Sequence, residues 1–331
     1  MRLLPPVSVM AGVLLIAVSP AAAQRMPFER TLTVTAGTTL DVSTLRGKIE
    51  VTDGAPGRMV VAGSATVRVG LMLPWDAVEL AKKVAAQPPI QQDATTVRLT
   101  EPTDPDEQRA VIVNYVIQVP PGTRVRTTSD SGATTVRGVS GPVEIRTHSA
   151  AINASALGAG AVVTTGSGAV EIAQVAGGLS VTTQSSAIEL RAIAGDVRVR
   201  TGSGAVDVSV TGQGSVDIET GSSAIRVIGA SGSVTTTTRS GATELQGRPG
   251  AGGWTISSGS GSVDMHMTQV ASFRLDAQSG SGSVRLQGAP IAGTVAKKSV
   301  TGTVGAGGAL VEVRTRSGSV RVTLADAAAT R

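Results

Sequence analysis

The stretch VVTTGSGAVEIAQVAGG, Val162–Gly178, contains a single charge and neither an aromatic ring nor a histidine, and close copies of it recur along most of the chain. Its first half alternates, with Val163 and Thr165 on one side and Val162 and Thr164 on the other. That is the period of a β-strand with one buried face. After Gly166-Ser167-Gly168 the alternation resumes with its parity shifted, at Val170 and Ile172. A parity shift inside a continuous strand would turn its side chains to the wrong face. The Ser-Gly pair therefore marks a corner between two strands. Val175, eight residues beyond the serine, supplies a further inward position before Gly177-Gly178 turns the chain again.

Working outward, the same corner recurs at Ser131, Ser149, Ser167, Ser185, Ser203, Ser222, Ser240, Ser260, Ser281 and Ser317. The first four steps are 18 residues each, and the later ones are 19, 18, 20, 21 and 36. The last step reads as two periods, with a degenerate copy around KKSVTGTVGAG. A short fixed period marks a solenoid, whose units bury their apolar faces only by stacking on one another. β-Branched residues dominate the repeats and helix formers are scarce, which excludes the helical repeat classes. The expected fold is all-β: a parallel β-solenoid of about 18 residues per coil, each coil with two clear strands and a third, shorter side. Eleven coils at about 4.8 Å would make a rod of roughly 50 Å. Threonines two before each serine, such as Thr147, Thr165 and Thr183, would form an inward ladder, and the serines a second ladder at the corner. A small hydroxyl suits such a corner because it can hydrogen-bond adjacent backbone. A nucleophile is not needed ten times, so these serines are structural corner residues and no catalytic residue is expected.

The flanks read differently. Residues 1–23 carry a basic start, the apolar VSVMAGVLLIAV and small residues with Ala21 and Ala23 in A-x-A positions. This is a signal peptide pattern, cleaved near Ala23/Gln24. The expectation is an exported protein, periplasmic or extracellular, with no later transmembrane segment. Without cysteine it has no disulfides and no lipid-bearing thiol. The formal charge of +5, one less once Arg2 is removed, is too diffuse to suggest nucleic acid. Residues 24–124 form an irregular N-terminal β region around one short amphipathic helix, 74–87. There Trp75, Val78, Ala81 and Ala85 share a helical spacing, Glu79 and Lys83 pair, and Pro88 ends the run. Such a helix suits a lid over the open end of the solenoid. Residues 125–323 are the regular coils and 324–331 a C-terminal tail.

The run VNYVIQVPPGTRVRTTSDSGATTVRGVSGPVEI, beginning at Val113, resembles a bacterial family of exported β-strand-repeat proteins described as adhesins of unknown function. There a strand ending in a Val-Pro-small-Gly turn opens a series of short coils, as Val119, Pro120, Pro121 and Gly122 do here. The resemblance implies a β-helix-like fold, taken as right-handed, at the envelope or outside the cell. It carries over no catalytic residue. The sequence shows no LPxTG-type sorting signal, so permanent attachment to a surface is not expected.

The function expected is non-enzymatic: an adhesin-like solenoid presenting a repetitive surface to an unknown macromolecule or envelope component, without a cofactor. A glycan-active or glycan-binding β-helix is the first alternative. It is weakened by short turns and by only 2 Trp, 1 Tyr and 2 Phe, since sugar sites exploit aromatic stacking. Calcium binding is the second alternative. Its candidates are Glu171, Glu189 and Asp207, stacked four residues after successive corner serines, although a solvated ridge balanced by nearby arginines explains the same column. Lattice binding through outward Thr164, Thr182, Thr235 and Thr237 is the third, interrupted by Arg146, Arg200, Glu219 and Asp276. His148 and His266 fall at different repeat positions and fit no triad.

Overall fold

The computed structural model describes residues 24–68, 74–267 and 272–324. The expected signal peptide, and the expected tail beyond Leu324, lie outside them. The strands form two long sheets, here called sheet I and sheet II, of 14 and 15 strands. From Val125 to Met267 neighbouring strands of the repeats are parallel and offset by one period: Val163 pairs with Val181 in sheet II, and Val170 with Ile188 in sheet I. The side chains that alternate inward, among them Val163, Val181, Ile172 and Leu190, are at most 2% exposed and fill the space between the sheets. The fold is the all-β parallel solenoid expected from the period.

The expected third side is a bend instead of a sheet. Ala156, Gln174 and Ala192, seven residues past their corner serines, have φ of 54°, 57° and 54°, and Gly138 and Gly229 occupy the same place at 72° and 79°. One left-handed residue re-aims the chain, so Val139, Leu157, Val175 and Ile193 turn inward directly after it. An alanine held there costs about 1–2 kcal/mol. Ala192→Gly relieves that strain and gives back about 0.4–1 kcal/mol through the freer unfolded chain. We therefore expect a net gain of about 0.5–1 kcal/mol, measured by chemical denaturation; a loss would mean that the bend is not strained.

Between Gly132 and Gly241 the corner has a two-coil period, which ends where Gly261, Gly318 and Gly282 follow. The residue after each serine runs Gly132, Ala150, Gly168, Ser186, Gly204, Ser223, Gly241. Ala150, Ser186 and Ser223 are buried. A Cβ on Gly168 would stand 1.9 Å from the Ala150 carbonyl oxygen, and one on Gly204 2.0 Å from that of Ser186. The corner above each larger residue is thus closed to a side chain, as it also is at Gly261, whose Cβ would stand 2.0 Å from the Gly241 carbonyl oxygen. The threonine ladder lines the inside of the corner, with Thr147 Oγ1 donating to Thr165 Oγ1 at 2.8 Å and Thr183 and Thr201 hydroxyls 3.1 Å apart.

At the N-terminal end of the rod, strand Val111–Val119 lies between Ile49–Asp53, parallel to it, and Arg58–Val67, antiparallel; Arg25–Thr33 completes the edge. Helix α1, Ala77–Ala86, packs on these outer strands and buries Ala77, Ala81 and Val84. Trp75, expected on that apolar face, is instead 98% exposed, because it precedes the helix and escapes its periodicity. The segment EPTDPDEQR, residues 101–109, leads into a second helix, α2, Pro105–Ala110. The Asp104 carboxylate caps it by accepting from the Asp106 and Glu107 N–H groups at 2.8 and 3.3 Å. Asp followed by Pro is an N-cap and first-turn signal that was legible in the sequence.

At the other end, coils do not stack in chain order. The last coil, Ala309–Ser317 with Val320–Leu324, sits between the coil Trp254–Ser260 with Val263–Met267 and the coil Phe273–Ser279 with Val284–Gln287. Ser317 accordingly pairs with Ser260 and bonds the Ser281 hydroxyl at 3.1 Å. The supposed degenerate coil is an antiparallel hairpin, Ala292–Ala296 with Ser299–Val304, added to the outer edge of Phe273–Ser279. Gly305, Gly307 and Gly308, all at positive φ, then carry the chain across the start of that strand to its other edge.

Candidate binding face

Outward residues of sheet II stand in two columns, because every second residue of a strand leaves the core and parallel pairing stacks equivalents. From Arg124–Ser129 to Phe273–Ser279 the strands alternate in character two by two, while Asp41 and Arg98 keep the N-terminal strands beside them charged. Arg126, Glu144 and Arg146 are charged; Val162, Thr164, Ser180 and Thr182 are not. Arg198, Arg200, Asp217 and Glu219 follow, then Thr235, Thr237, Thr255 and Ser257. Glu312, Arg314 and Asp276 close the series. The alternation repeats every four coils, about 19 Å at the ordinary strand spacing. Ala309–Ser317 and Phe273–Ser279 supply the charged pair of strands at the place the alternation requires one.

The charges are paired along the columns. Arg126 Nε lies 3.1 Å from Glu144, Arg198 Nε 3.0 Å from Asp217 and Arg200 Nε 3.2 Å from Glu219. Arg314 bridges Asp276 at 2.5 Å and Glu312 at 3.2 Å, and its guanidinium holds the Asp276 carboxyl below the usual carboxylate range. Most of these pairs are well exposed, where an ion pair contributes about 0.2–1 kcal/mol. They order the face more than they stabilise the rod. Two shallow grooves border it. One, of about 430 Å³, runs past Val162, Ser180, Arg198 and Asp217; the other, of about 570 Å³, past Thr182, Arg200, Glu219 and Thr237.

The corner serines lie along one margin of this face, exposed or half-buried. Ser185 and Ser203 hydroxyls are 2.8 Å apart, Ser222 and Ser240 3.2 Å, while Ser131 and Ser149 donate to the Leu45 and Asp130 carbonyls at 3.2 and 3.4 Å. Ser167 and Ser260 continue the same margin. Glu171, Glu189 and Asp207 stack in register on sheet I, on the opposite side of the rod. They stand one per strand, Glu189 is paired with Arg191, and Glu171 accepts from Asn153 at 3.3 Å. Among the described residues no three carboxylate or imidazole groups converge as a metal site would require. His148, in the corner after Val143–Thr147, and His266, on strand Val263–Met267 of sheet I, are both exposed.

Groups with displaced ionisation have structural partners. Burial pushes the Glu101 carboxyl up while the Leu45 N–H donates to it at 2.8 Å, and burial raises the Tyr115 phenol, which donates to the Thr100 carbonyl at 2.7 Å. Both lie at the N-terminal end, away from the grooves. Asp196, which lines the first groove, is held below the usual range by the N–H and hydroxyl of Ser215. A carboxylate so stabilised is a poor proton acceptor at neutral pH. The two-coil grouping on sheet II escaped the sequence reading, which counted the charged residues among the threonines as interruptions. Tabulating positions five and three before each serine would have found it.

A family model described as Toastrack DUF4097 matches residues 143–323, more than half of the chain. The chain belongs to that family. The Toastrack match begins at the second regular strand of sheet II and ends within the inserted last coil, so it spans nearly all of the alternating face. No curated protein matches the chain. Two solved structures are similar to it. A candidate cell adhesion protein of Clostridium sporogenes shares 9% identity over 90% of this chain and 100% of that one, with a TM-score of 0.18. A candidate adhesin of Bacteroides fragilis shares 10% over 90% of this chain and 97% of its own, with a TM-score of 0.28. The fold described above stands on its pairing register and not on these scores. Among the described residues, no helix is long and apolar enough to cross a membrane.

Proposed function

We propose that this Toastrack protein is an exported, non-enzymatic, adhesin-like solenoid that presents the outward face of sheet II to an extended macromolecule of the cell envelope. The carrying observation is the four-coil alternation of charged and uncharged strand pairs. Core packing does not require it, since these side chains point away from the core, and the ion pairs add little stability. Hydroxyl strips between ion-pair strips offer hydrogen-bond donors and acceptors at a repeat of about 19 Å, which suits a long partner better than a compact one. The leader pattern at residues 1–23 supports export. A glycan-active enzyme would need a cleft with converging acids; the grooves are shallow, and Asp196 is held as a weak base.

The test is cosedimentation of the mature protein with an isolated envelope fraction. Thr164→Glu with Thr182→Glu places charge in an uncharged strip and is expected to weaken binding at least tenfold. Glu171→Gln with Asp207→Asn, on the opposite sheet, is expected to leave it unchanged. Equal effects from both pairs would refute the assignment of the face.

A further inference from the structure

We propose that two copies of this chain join tail to tail through their Ala292–Ala296 strands, paired antiparallel about a two-fold axis at Thr294, so that sheet II of one copy continues into sheet II of the other. The inference concerns the end of the rod and does not depend on what the face binds.

The two ends of the solenoid are built differently. An open sheet edge is a template for another strand, and proteins that stay apart blunt it with charge, proline, shortness or a cover. The N-terminal end uses all four. Edge strand Arg25–Thr33 carries Arg25, Pro27, Glu29 and Arg30, α1 packs on it, and the sheet II edge there is only three residues long, Ile90–Gln92. The C-terminal edge of sheet II uses none of them. Ala292–Ala296 reads AGTVA, without charge or proline, and pairs on one side with Ser299–Val304. Among the described residues nothing pairs with its other side. All five residues are exposed, Val295 to 64%.

The strand's own chemistry selects a second copy as the occupant. Antiparallel self-pairing at Thr294 sets Ala292 against Ala296 and Gly293 against Val295, with no like charges opposed. Lys297 and Lys298, at the hairpin turn, then fall opposite Ile291 and Pro290 of the other copy, about 20 Å from their own equivalents. A head-to-tail chain of copies would need the blunted N-terminal edge, so the assembly closes as a dimer and does not grow into a fibre. Five residues of added ladder, at about 0.5–1.5 kcal/mol per hydrogen bond, make a weak, concentration-dependent dimer. Such a dimer doubles the length of the sheet II face and makes it bivalent.

The natural chain has no cysteine, so one introduced thiol reports the register cleanly. Directly opposed residues of an antiparallel pair lie about 4.5–5.5 Å apart at Cα, within disulfide range. On mild oxidation of the mature protein, Thr294→Cys is expected to form a disulfide dimer at least tenfold faster than Thr301→Cys, an exposed position on the inner strand of the same hairpin. Sedimentation of the wild-type protein is expected to rise toward, and stop at, the dimer mass as concentration increases. Val295→Pro, which removes an N–H that faces the open edge while Thr294 stays paired with Thr301 across the hairpin, is expected to stay monomeric with an unchanged melting temperature. Cross-linking of Thr294→Cys no faster than Thr301→Cys, or a dimer that survives Val295→Pro, overturns the proposal.

Discussion

Ending the chain at residue 308 is expected to unfold residues 273–304 as well as removing 309–331. Chain-order stacking would make that deletion the loss of an outermost coil, leaving everything before it protected. In the structure the deleted segment is interior: Ala309–Ser317 and Val320–Leu324 supply the parallel partners of Phe273–Ser279 and Val284–Gln287 on one side and of Trp254–Ser260 and Val263–Met267 on the other. The deletion removes five buried aliphatic side chains, Val311, Val313, Val320, Val322 and Leu324, each contributing about 1.5–3 kcal/mol by burial. It also strips both ladders from the coil beyond. Because a solenoid is stabilised by nearest neighbours, the coils of residues 125–247 should persist. Amide exchange of the truncated protein should therefore show protection retained in 125–247 and lost throughout 273–304. Native-like protection of 273–304 would refute the insertion.

Gly204→Ala, like Gly241→Ala, is expected to cost most among the corner residues. Gly204 has φ +109°, where an L side chain is strained by about 1–3 kcal/mol. The added Cβ would also stand 2.0 Å from the Ser186 carbonyl oxygen, a backbone atom that cannot swing aside, and such overpacking costs a further 1–3 kcal/mol or so. The combined loss of roughly 3–5 kcal/mol should appear in the denaturation midpoint. Ser186→Gly, in the coil below, introduces no clash but removes the hydroxyl that accepts from the Gly168 N–H at 3.2 Å, and should cost only about 1–2 kcal/mol. Equal costs at the two positions would show that the corner has a one-coil period after all.

Much of the fold could be read before any coordinates. The parity shift at Gly166-Ser167-Gly168 located the corner, and the spacing of ten serines set the coil length, because alternation and stacking are both local consequences of a strand with one buried face. The candidate site was legible residue by residue but not as a pattern. Arg200 and Thr182 are 18 positions apart in the chain, and only their pairing side by side turns them into adjacent strips of one face. The bend at Ala156, Gln174 and Ala192 was hidden for a different reason. Nothing marks an alanine or glutamine as left-handed until the buried neighbours that impose it are known.

By itself the sequence determined that this is an all-β solenoid, how many residues make a coil and which side chains enter its core, since these follow from periodicity in a single strand and its copies. Tertiary structure alone decided the order of the last coils, the blunted and open ends, and the two-by-two grouping of the sheet II face. A strand with valines on one side can stack on any similar neighbour. Which neighbour it takes depends on connections such as Gly305–Gly308, whose reach and direction exist only in three dimensions.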